Sequence, residues 1–210
     1  IDIMKKNAIL FLILIIGFGL RIYGINWDQG HHLHPDERFL TMVSNAEKLP
    51  SDWVDYFSPA LSSLNPHNVG YPFFVYGAFP ITFTKILAVF FNFDTYADFT
   101  ILGRFLSALF DTLVIILLYK IADLFEKKHN FDRRLKYYAS FLYAIAVLPI
   151  QLSHFFAVDT FLSFFMIASF YWSLKFYYFF HKKAIKNSVA YIVFSAVFFG
   201  CAMGTKITAL

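Results

Sequence analysis

The feature that most constrains this chain is its series of long apolar blocks, separated by short charged linkers. Each block approaches the roughly 20 residues that a helix needs to span a bilayer. Hydrophobic residues make up 59% of the chain and charged residues 15%, whereas soluble domains average about 45–50% and about 25%. The blocks cover residues 8–23, 73–93, 99–125, 135–157, 160–180 and 188–203. They predict an all-α polytopic membrane protein.

The basic linkers predict which blocks cross the membrane. Two lysines precede the first block, and basic linkers follow the third and fifth blocks. Because basic loops remain in the cytoplasm, all three clusters lie inside only if residues 73–93 do not cross. Lys85 and Pro80 interrupt that block and favour a helix that lies at the outer interface or packs into the protein. We predict about five spanning helices, a cytoplasmic N-terminus and a long outer loop over residues 24–98.

Two local patterns refine this topology. The first block is short enough to be a signal-peptide core, but no cleavage site follows it, so we expect a retained helix. In the outer loop, Pro35 followed by two acids predicts the start of a helix. Apolar residues then recur at helical spacing and predict an interfacial helix whose stripe lies on the membrane. That stripe consists of Phe39, Met42, Val43 and Ala46.

Polar residues concentrate at the predicted outer ends of the helices. They are Asp36, Glu37, Arg104, Asp111, Gln151, His154, Asp159 and Lys206. Because ionisable groups in a bilayer usually face a polar cavity or a partner, this asymmetry predicts a cavity at the outer face. Cations there could hold the phosphate of a lipid-linked substrate. A carboxylate without a close cation could act as a base.

Each of these residues also has a purely structural interpretation. Asp36 and Glu37 could serve only to begin the loop helix, and Asp159 could serve only to begin the fourth spanning helix. Arg104 could extend to the lipid headgroups. We expect Asp111 to pair with a residue on another helix, because Arg104 lies two turns away from it.

A metal site is a further alternative for the loop. His31, His32 and His34 precede the two acids, but they match no standard ligand spacing, and adjacent histidines do not easily share one ion. We therefore predict no metal site and no cofactor, with a divalent metal as the alternative. The lysines and arginines lie between apolar blocks, so we predict no nucleic-acid partner.

Five groups of residues together resemble the GT-C-type membrane glycosyltransferases. The resemblance is greatest to the branch that holds protein O-mannosyltransferases and the bacterial lipid A aminoarabinose transferase. The segments are Arg-Ile-Tyr-Gly at 21–24 with His-Pro-Asp-Glu-Arg at 34–38, Gly-Tyr-Pro-Phe-Phe-Val-Tyr at 70–76, Gly-Arg-Phe-Leu-Ser-Ala-Leu at 103–109, Ala-Val-Asp-Thr-Phe-Leu-Ser-Phe-Phe at 157–165 and Gly-Cys-Ala-Met-Gly-Thr-Lys at 200–206. Their order and spacing carry the resemblance. One departure is Tyr71, where the aminoarabinose transferase has a lysine before the loop proline.

The resemblance implies an inverting transfer of a sugar from a polyprenyl-phosphate donor to a glycan, lipid or protein acceptor at the outer face of the plasma or inner membrane. Asp36 would be catalytic, with Glu37 beside it. The donor phosphate or the cavity wall would involve Arg104, His154, Asp159 and Lys206. Family members are longer, so residues 1–210 would be the N-terminal part of a single transmembrane domain, surrounded by membrane lipids.

A non-catalytic transporter or lipid-handling protein is the alternative function. Such proteins have broken helices and polar groups near the middle of the bilayer. The outward position of the polar residues in this sequence favours the enzyme.

Overall fold

The computed structural model describes residues 2–93, 95–180 and 185–209, and no strand occurs within these ranges. The α-helices are α1 (Asp2–Ile22), α2 (Pro35–Ala46), α3 (Trp53–Phe57), α4 (Phe79–Phe91), α5 (Tyr96–His129), α6 (Leu135–Ala144), α7 (Val147–Ser153), α8 (Val158–Phe180) and α9 (Ile185–Thr205). Short 3-10 turns cover Pro66–Val69 and Ile207–Ala209. The prediction of an all-α membrane protein is confirmed.

Two of the described helices are long and apolar enough to cross a membrane. They are α5 and the part of α9 over Ser188–Thr205, and the bent pair α6–α7 could form a third span. The apolar part of α1, Ala8–Ile22, is shorter. The predicted count of five also requires α1 and α8 to cross, and it stays a prediction.

Helix α4 is packed into the protein and is too short to cross a membrane. Its 13 residues extend about 20 Å, against about 30 Å of hydrocarbon core. Pro80 lies in its first turn, where the missing N–H has no consequence. Pro80 thus marks the point where the apolar block is interrupted, because residues 73–78 before it form a loop and the helix begins only at Phe79. Lys85 is buried, with Nζ 4.8 Å from the centre of the Phe99 ring on α5.

Helix α2 begins at Pro35 as the sequence predicts. The His34 side chain caps it, because Nδ1 accepts a hydrogen bond from the Glu37 N–H at 3.3 Å. The predicted membrane-facing stripe is wrong at Val43, which is fully buried in a core that contains residues of α4 and α5, whereas Met42 of the same stripe is exposed. The side of α2 that carries Leu40 and Val43 therefore faces the protein.

The predicted third spanning helix is instead two helices, α6 and α7, bent by 51°. Pro149 has no N–H to donate to the Ile145 carbonyl, and its ring crowds that carbonyl, so a continuous helix fails here. Arg21 donates hydrogen bonds to the carbonyls at the end of α6. Its Nη1 donates to Ala144 O at 2.9 Å and its Nη2 to Tyr143 O at 3.2 Å.

Arg21 also forms the buried ion pair that joins α1 to α5. Its Nε donates to the Asp111 carboxylate, which accepts a second hydrogen bond from the Tyr143 hydroxyl at 2.7 Å. The expectation that Asp111 pairs with another helix is confirmed. One charged cluster thus connects α1, α5 and α6, and its arginine donates hydrogen bonds to the carbonyls at the break before α7.

Candidate active site

Arg104 of α5 is at the centre of a second buried ion cluster, with Asp28 and Glu37. All three side chains are fully buried. Arg104 Nε and Nη2 donate to Glu37, each at 2.7 Å, and Nη1 and Nη2 donate to Asp28 at 3.0 and 2.8 Å. Nη1 also donates to the Ile25 carbonyl at 2.9 Å. The five N–H groups of a guanidinium are therefore all used by protein acceptors.

The cluster connects four parts of the chain. Glu37 Oε1 also accepts a hydrogen bond from the Phe156 N–H at 2.8 Å, which fixes the turn between α7 and α8. The Phe156 ring packs on Gly103, where a Cβ would lie only 2.3 Å from a ring carbon. The hydrogen bonds from Arg104 lower the pKa of Asp28 well below its usual range, against the opposing effect of burial. Asp28 and Glu37 therefore hold the first loop and α2 against α5.

Asp36 points to a different environment from its neighbour Glu37. Its side chain is exposed and lines a cavity of about 440 Å³, which we call the Asp36 cavity. The other lining residues are Phe39, Gly70, Tyr71, Pro72, Phe73, Val75 and Tyr76. The loop segment Gly70–Tyr76, identified by its resemblance to the glycosyltransferases, thus forms most of the cavity wall opposite α2. Tyr71 lies in this wall beside Pro72.

Tyr76 is affected by both Asp36 and Asp159. Burial raises the pKa of the Tyr76 hydroxyl, and the charge and hydrogen bond of Asp36 and the charge of Asp159 raise it further. Asp159 lies in the first turn of α8 and pairs with Lys206 Nζ at 3.0 Å. Both members of this pair are partly exposed, at 44% and 30% of their side-chain areas. Asp36 and Asp159 therefore both act on the Tyr76 hydroxyl, and Lys206 pairs with the second of these acids.

Gly77 fixes the loop to the end of α9. Its N–H donates to the Thr205 carbonyl at 2.9 Å, and a Cβ at Gly77 would lie 2.0 Å from the Gly204 carbonyl oxygen. Only glycine allows this approach without a backbone shift. Gly77 therefore positions Tyr76 next to the α9 end that carries Lys206.

Replacement of Gly77 by Ala should displace the loop from α9. We expect a loss of stability of about 1–3 kcal/mol, typical of overpacking. Gly200→Ala on α9 is the matched control, because no heavy atom lies within 4 Å of the added Cβ. Thermal unfolding of both variants tests this prediction, and equal unfolding temperatures for the two would contradict it.

His154 lies apart from the Asp36 cavity. Its ring nitrogens are 2.8 Å from the Tyr23 carbonyl and 2.7 Å from the Ile150 carbonyl, which places the ring between α7 and the end of α1. It lines a separate, mostly apolar cavity of about 370 Å³ with Trp27, Val147, Ile150, Gln151 and Phe155. Its role in donor binding stays a prediction.

The loop histidines have other contacts in the structure. His34 caps α2 and stacks on Phe155, with ring centres 4.1 Å apart, and His32 packs against Tyr96. Within the described residues, no group of three or more His, Cys, Asp or Glu side chains is placed to hold a metal ion.

Two residues of this region were missed from the sequence. Asp28 belongs to no periodic pattern that would have marked it as a site residue. A buried Arg104, however, requires carboxylate partners. Tyr76 belongs to the resembling loop segment, but its type alone did not indicate contact with two acids. A search for partners of Arg104 among the loop acids would have found Asp28.

The model of one protein family matches residues 67–210, and that family is described as dolichyl-phosphate-mannose-protein mannosyltransferase. The match covers more than half of the chain. It includes Arg104, His154, Asp159 and Lys206, whereas Asp36 and Glu37 precede it. No curated protein and no solved structure matches the chain significantly.

Proposed function

The chain belongs to the dolichyl-phosphate-mannose-protein mannosyltransferase family, and from this membership and the Asp36 cavity we propose that it transfers a sugar from a polyprenyl phosphate to a hydroxyl acceptor. The observation that carries the mechanism is the exposed Asp36 carboxylate in a cavity beside Tyr76. Among the described residues, no cation lies within ion-pair distance of Asp36. A carboxylate in that position is free to accept a proton.

The proposed reaction is a single displacement with inversion. The acceptor oxygen attacks the anomeric carbon of the sugar, and its proton passes to Asp36. The bond from that carbon to the phosphate oxygen breaks, and polyprenyl phosphate leaves with the electron pair. One carboxylate suffices, because phosphate is a good leaving group and needs no second acid of the kind that glycosidases use.

Lys206 is the cation that we assign to the departing phosphate. Its Nζ is partly exposed at the end of α9, and its partner Asp159 is close enough to Tyr76 to affect that hydroxyl. A lysine ammonium can stabilise the charge that develops on the phosphate. Arg104 is a positioning residue in this proposal, because its N–H groups hold Asp28 and Glu37.

The direct test is transfer of labelled mannose from polyprenyl-phosphate mannose in membranes that contain the protein. Serine- and threonine-containing peptides, glycans and lipids serve as separate acceptors. We propose a protein or peptide hydroxyl as the acceptor, following the family description. Transfer to none of the three acceptor classes would contradict the enzymatic proposal.

We propose that the Asp36 cavity opens to the outer face of a plasma or inner membrane. The last turn of α5 carries Lys127, Lys128 and His129, and basic ends favour the cytoplasm. With Cys201 replaced by Ser, an impermeant maleimide added to intact cells should label Ser51→Cys in the exposed loop and not Asp132→Cys beyond α5. The reverse labelling pattern would contradict this orientation.

The break between α6 and α7 is the observation that favours a non-catalytic transporter or lipid-handling protein. Transport sites often use the open ends of broken helices to coordinate a solute. Here Arg21 already donates to the carbonyls of Tyr143 and Ala144. Solute uptake by liposomes that contain only this protein, without sugar transfer, would favour the alternative.

A further inference from the structure

A second polar cavity lies between α5 and α8, near the end of α5 that carries its basic last turn. Its volume is about 450 Å³, and we call it the lysine pocket. It is lined by Lys120, Asp123, Leu124, Lys127, Lys128, Tyr171, Lys175 and Phe179. Four lysines thus surround one cavity, and Asp123 is the one acid in its lining. None of these residues takes part in the reaction proposed for the Asp36 cavity.

The charges of the pocket are not balanced within it. Asp123 accepts from Lys127 at 2.5 Å through one oxygen and from Lys136 of α6 at 2.6 Å through the other. Within the described ranges, no carboxylate lies within 4 Å of Lys120 or Lys175. The lining therefore carries an excess of positive charge that an anion would neutralise.

Aromatic rings hold two of the lysines in place. Lys175 Nζ lies 4.6 Å from the centre of the Tyr191 ring and 5.0 Å from that of Trp172. Lys120 Nζ lies 6.0 Å from the centre of the Tyr171 ring. Cation–π contacts orient an ammonium without using its N–H groups on an acceptor, so these groups remain able to donate to an anion.

The position of the pocket indicates the kind of anion. Arg104 and Lys127 lie on the same helix, and their separation in sequence corresponds to roughly 35 Å at about 1.5 Å per residue. That distance is close to the thickness of a bilayer core, about 30 Å. If the Asp36 end lies at one interface, the lysine pocket therefore lies at the other, where phospholipid headgroups are at high local concentration.

We propose that the lysine pocket binds the phosphate of an anionic phospholipid headgroup. The lysines would donate to the phosphate oxygens, while Leu124 and Phe179 contact the apolar part of the same lipid. Basic pockets between spanning helices are a recognised way to hold anionic lipids. A free phosphate shares the charge but not the apolar contact, so the lipid is the ligand that uses the whole lining.

The test compares lipids on the purified protein. Protein in nanodiscs of phosphatidylcholine is compared with protein in nanodiscs that contain one-fifth phosphatidylglycerol, by thermal unfolding and by native mass spectrometry of retained lipid. We expect phosphatidylglycerol to be retained in preference and to raise the unfolding temperature, with both effects decreasing as salt rises. If the unaltered protein retained phosphatidylglycerol no better than phosphatidylcholine, that result alone would overturn the proposal.

The variant Lys120→Gln/Lys175→Gln assigns the preference to the pocket. We expect its affinity for phosphatidylglycerol to fall at least about tenfold, since each lysine near a headgroup contributes to binding. Arg133→Gln/Arg134→Gln is the matched control, because it removes two exposed charges outside the pocket. Equal loss in both variants, or no loss in the first, would overturn the proposal.

Inorganic phosphate separates the lipid from the free anion. Added to the protein in phosphatidylcholine nanodiscs, it should leave the unfolding temperature unchanged up to millimolar concentrations. A stabilisation equal to that by phosphatidylglycerol would overturn the lipid assignment and identify a site for soluble phosphate. Lys120→Arg/Lys175→Arg keeps both charges and should retain the lipid preference.

Discussion

Replacement of Asp36 by Asn should abolish sugar transfer while the protein stays folded in the membrane. A general base contributes about 10²–10⁴-fold to a rate, and Asn keeps the size of the side chain but accepts no proton. Asp36 is exposed in the first turn of α2, so its loss costs the helix at most about 1 kcal/mol. The measurement is the initial rate of mannose transfer, normalised to the amount of folded protein.

Asp55→Asn is the matched control for this experiment. Asp55 is also an acid in the first turn of a loop helix, α3, where it is partly exposed, and it lies outside the lining of the Asp36 cavity. The same chemical change should leave transfer within about twofold, because surface substitutions away from a site have small effects. If the Asp36→Asn variant transferred sugar at the rate of the control, Asp36 would not be the general base.

The sequence predicted the parts of the site whose signal is local. Pro35 with its two acids predicted the start of α2, and that start places Asp36 and Glu37 on adjacent positions of one helical turn. Adjacent positions on a helix point in different directions, so one acid reaches the cavity and the other reaches Arg104. The sequence predicted both acids at a polar site, but periodicity does not distinguish which of them is buried.

Pairing between distant segments was harder to predict. The contacts of Arg104 with Asp28 and Glu37 join residues separated by 76 and 67 positions. No repeating pattern encodes such a contact, which depends on how the first loop folds over α5. The close packing of Gly77 on Gly204 was equally hard to predict, because the sequence around each glycine does not show that the two segments meet.

The break between α6 and α7 was visible in the sequence. Pro149 lies within the predicted third span, and a proline inside a helix removes one hydrogen bond and crowds one carbonyl. The apolar composition of the block outweighed this signal in the prediction of a single helix. What the sequence did not reveal is that Arg21, on another helix, donates to carbonyls at that break.

Replacement of Arg104 by Met should have the largest effect on stability of any substitution considered for this protein. It leaves two fully buried carboxylates, Asp28 and Glu37, without their cation. Removing one partner from a buried ion pair costs about 3–5 kcal/mol, and here two carboxylates lose the same partner. We expect a large fall in the unfolding temperature in detergent, or failure to accumulate in the membrane.

Lys206→Met is the control for the charge itself. It also removes a cation from an ion pair, but both members of the Lys206–Asp159 pair are partly exposed. Exposed pairs contribute about 0–1 kcal/mol, so this variant should unfold close to the parent. Similar losses of stability in the two variants would mean that burial does not govern the effect of Arg104.

The pH dependence distinguishes the loss of charge compensation from the loss of packing. In the parent, the pKa of Asp28 is lowered, so its contribution to stability is complete above the unfolded value of about 3.8 and is lost only as the pH falls through the lower folded value. In Arg104→Met, burial without a cation should raise the pKa of the same carboxyl. Protonation then relieves the penalty as the pH falls from 7 towards 5. The deficit of the variant should therefore shrink over that range, and a deficit that is constant with pH would identify lost packing as the cause.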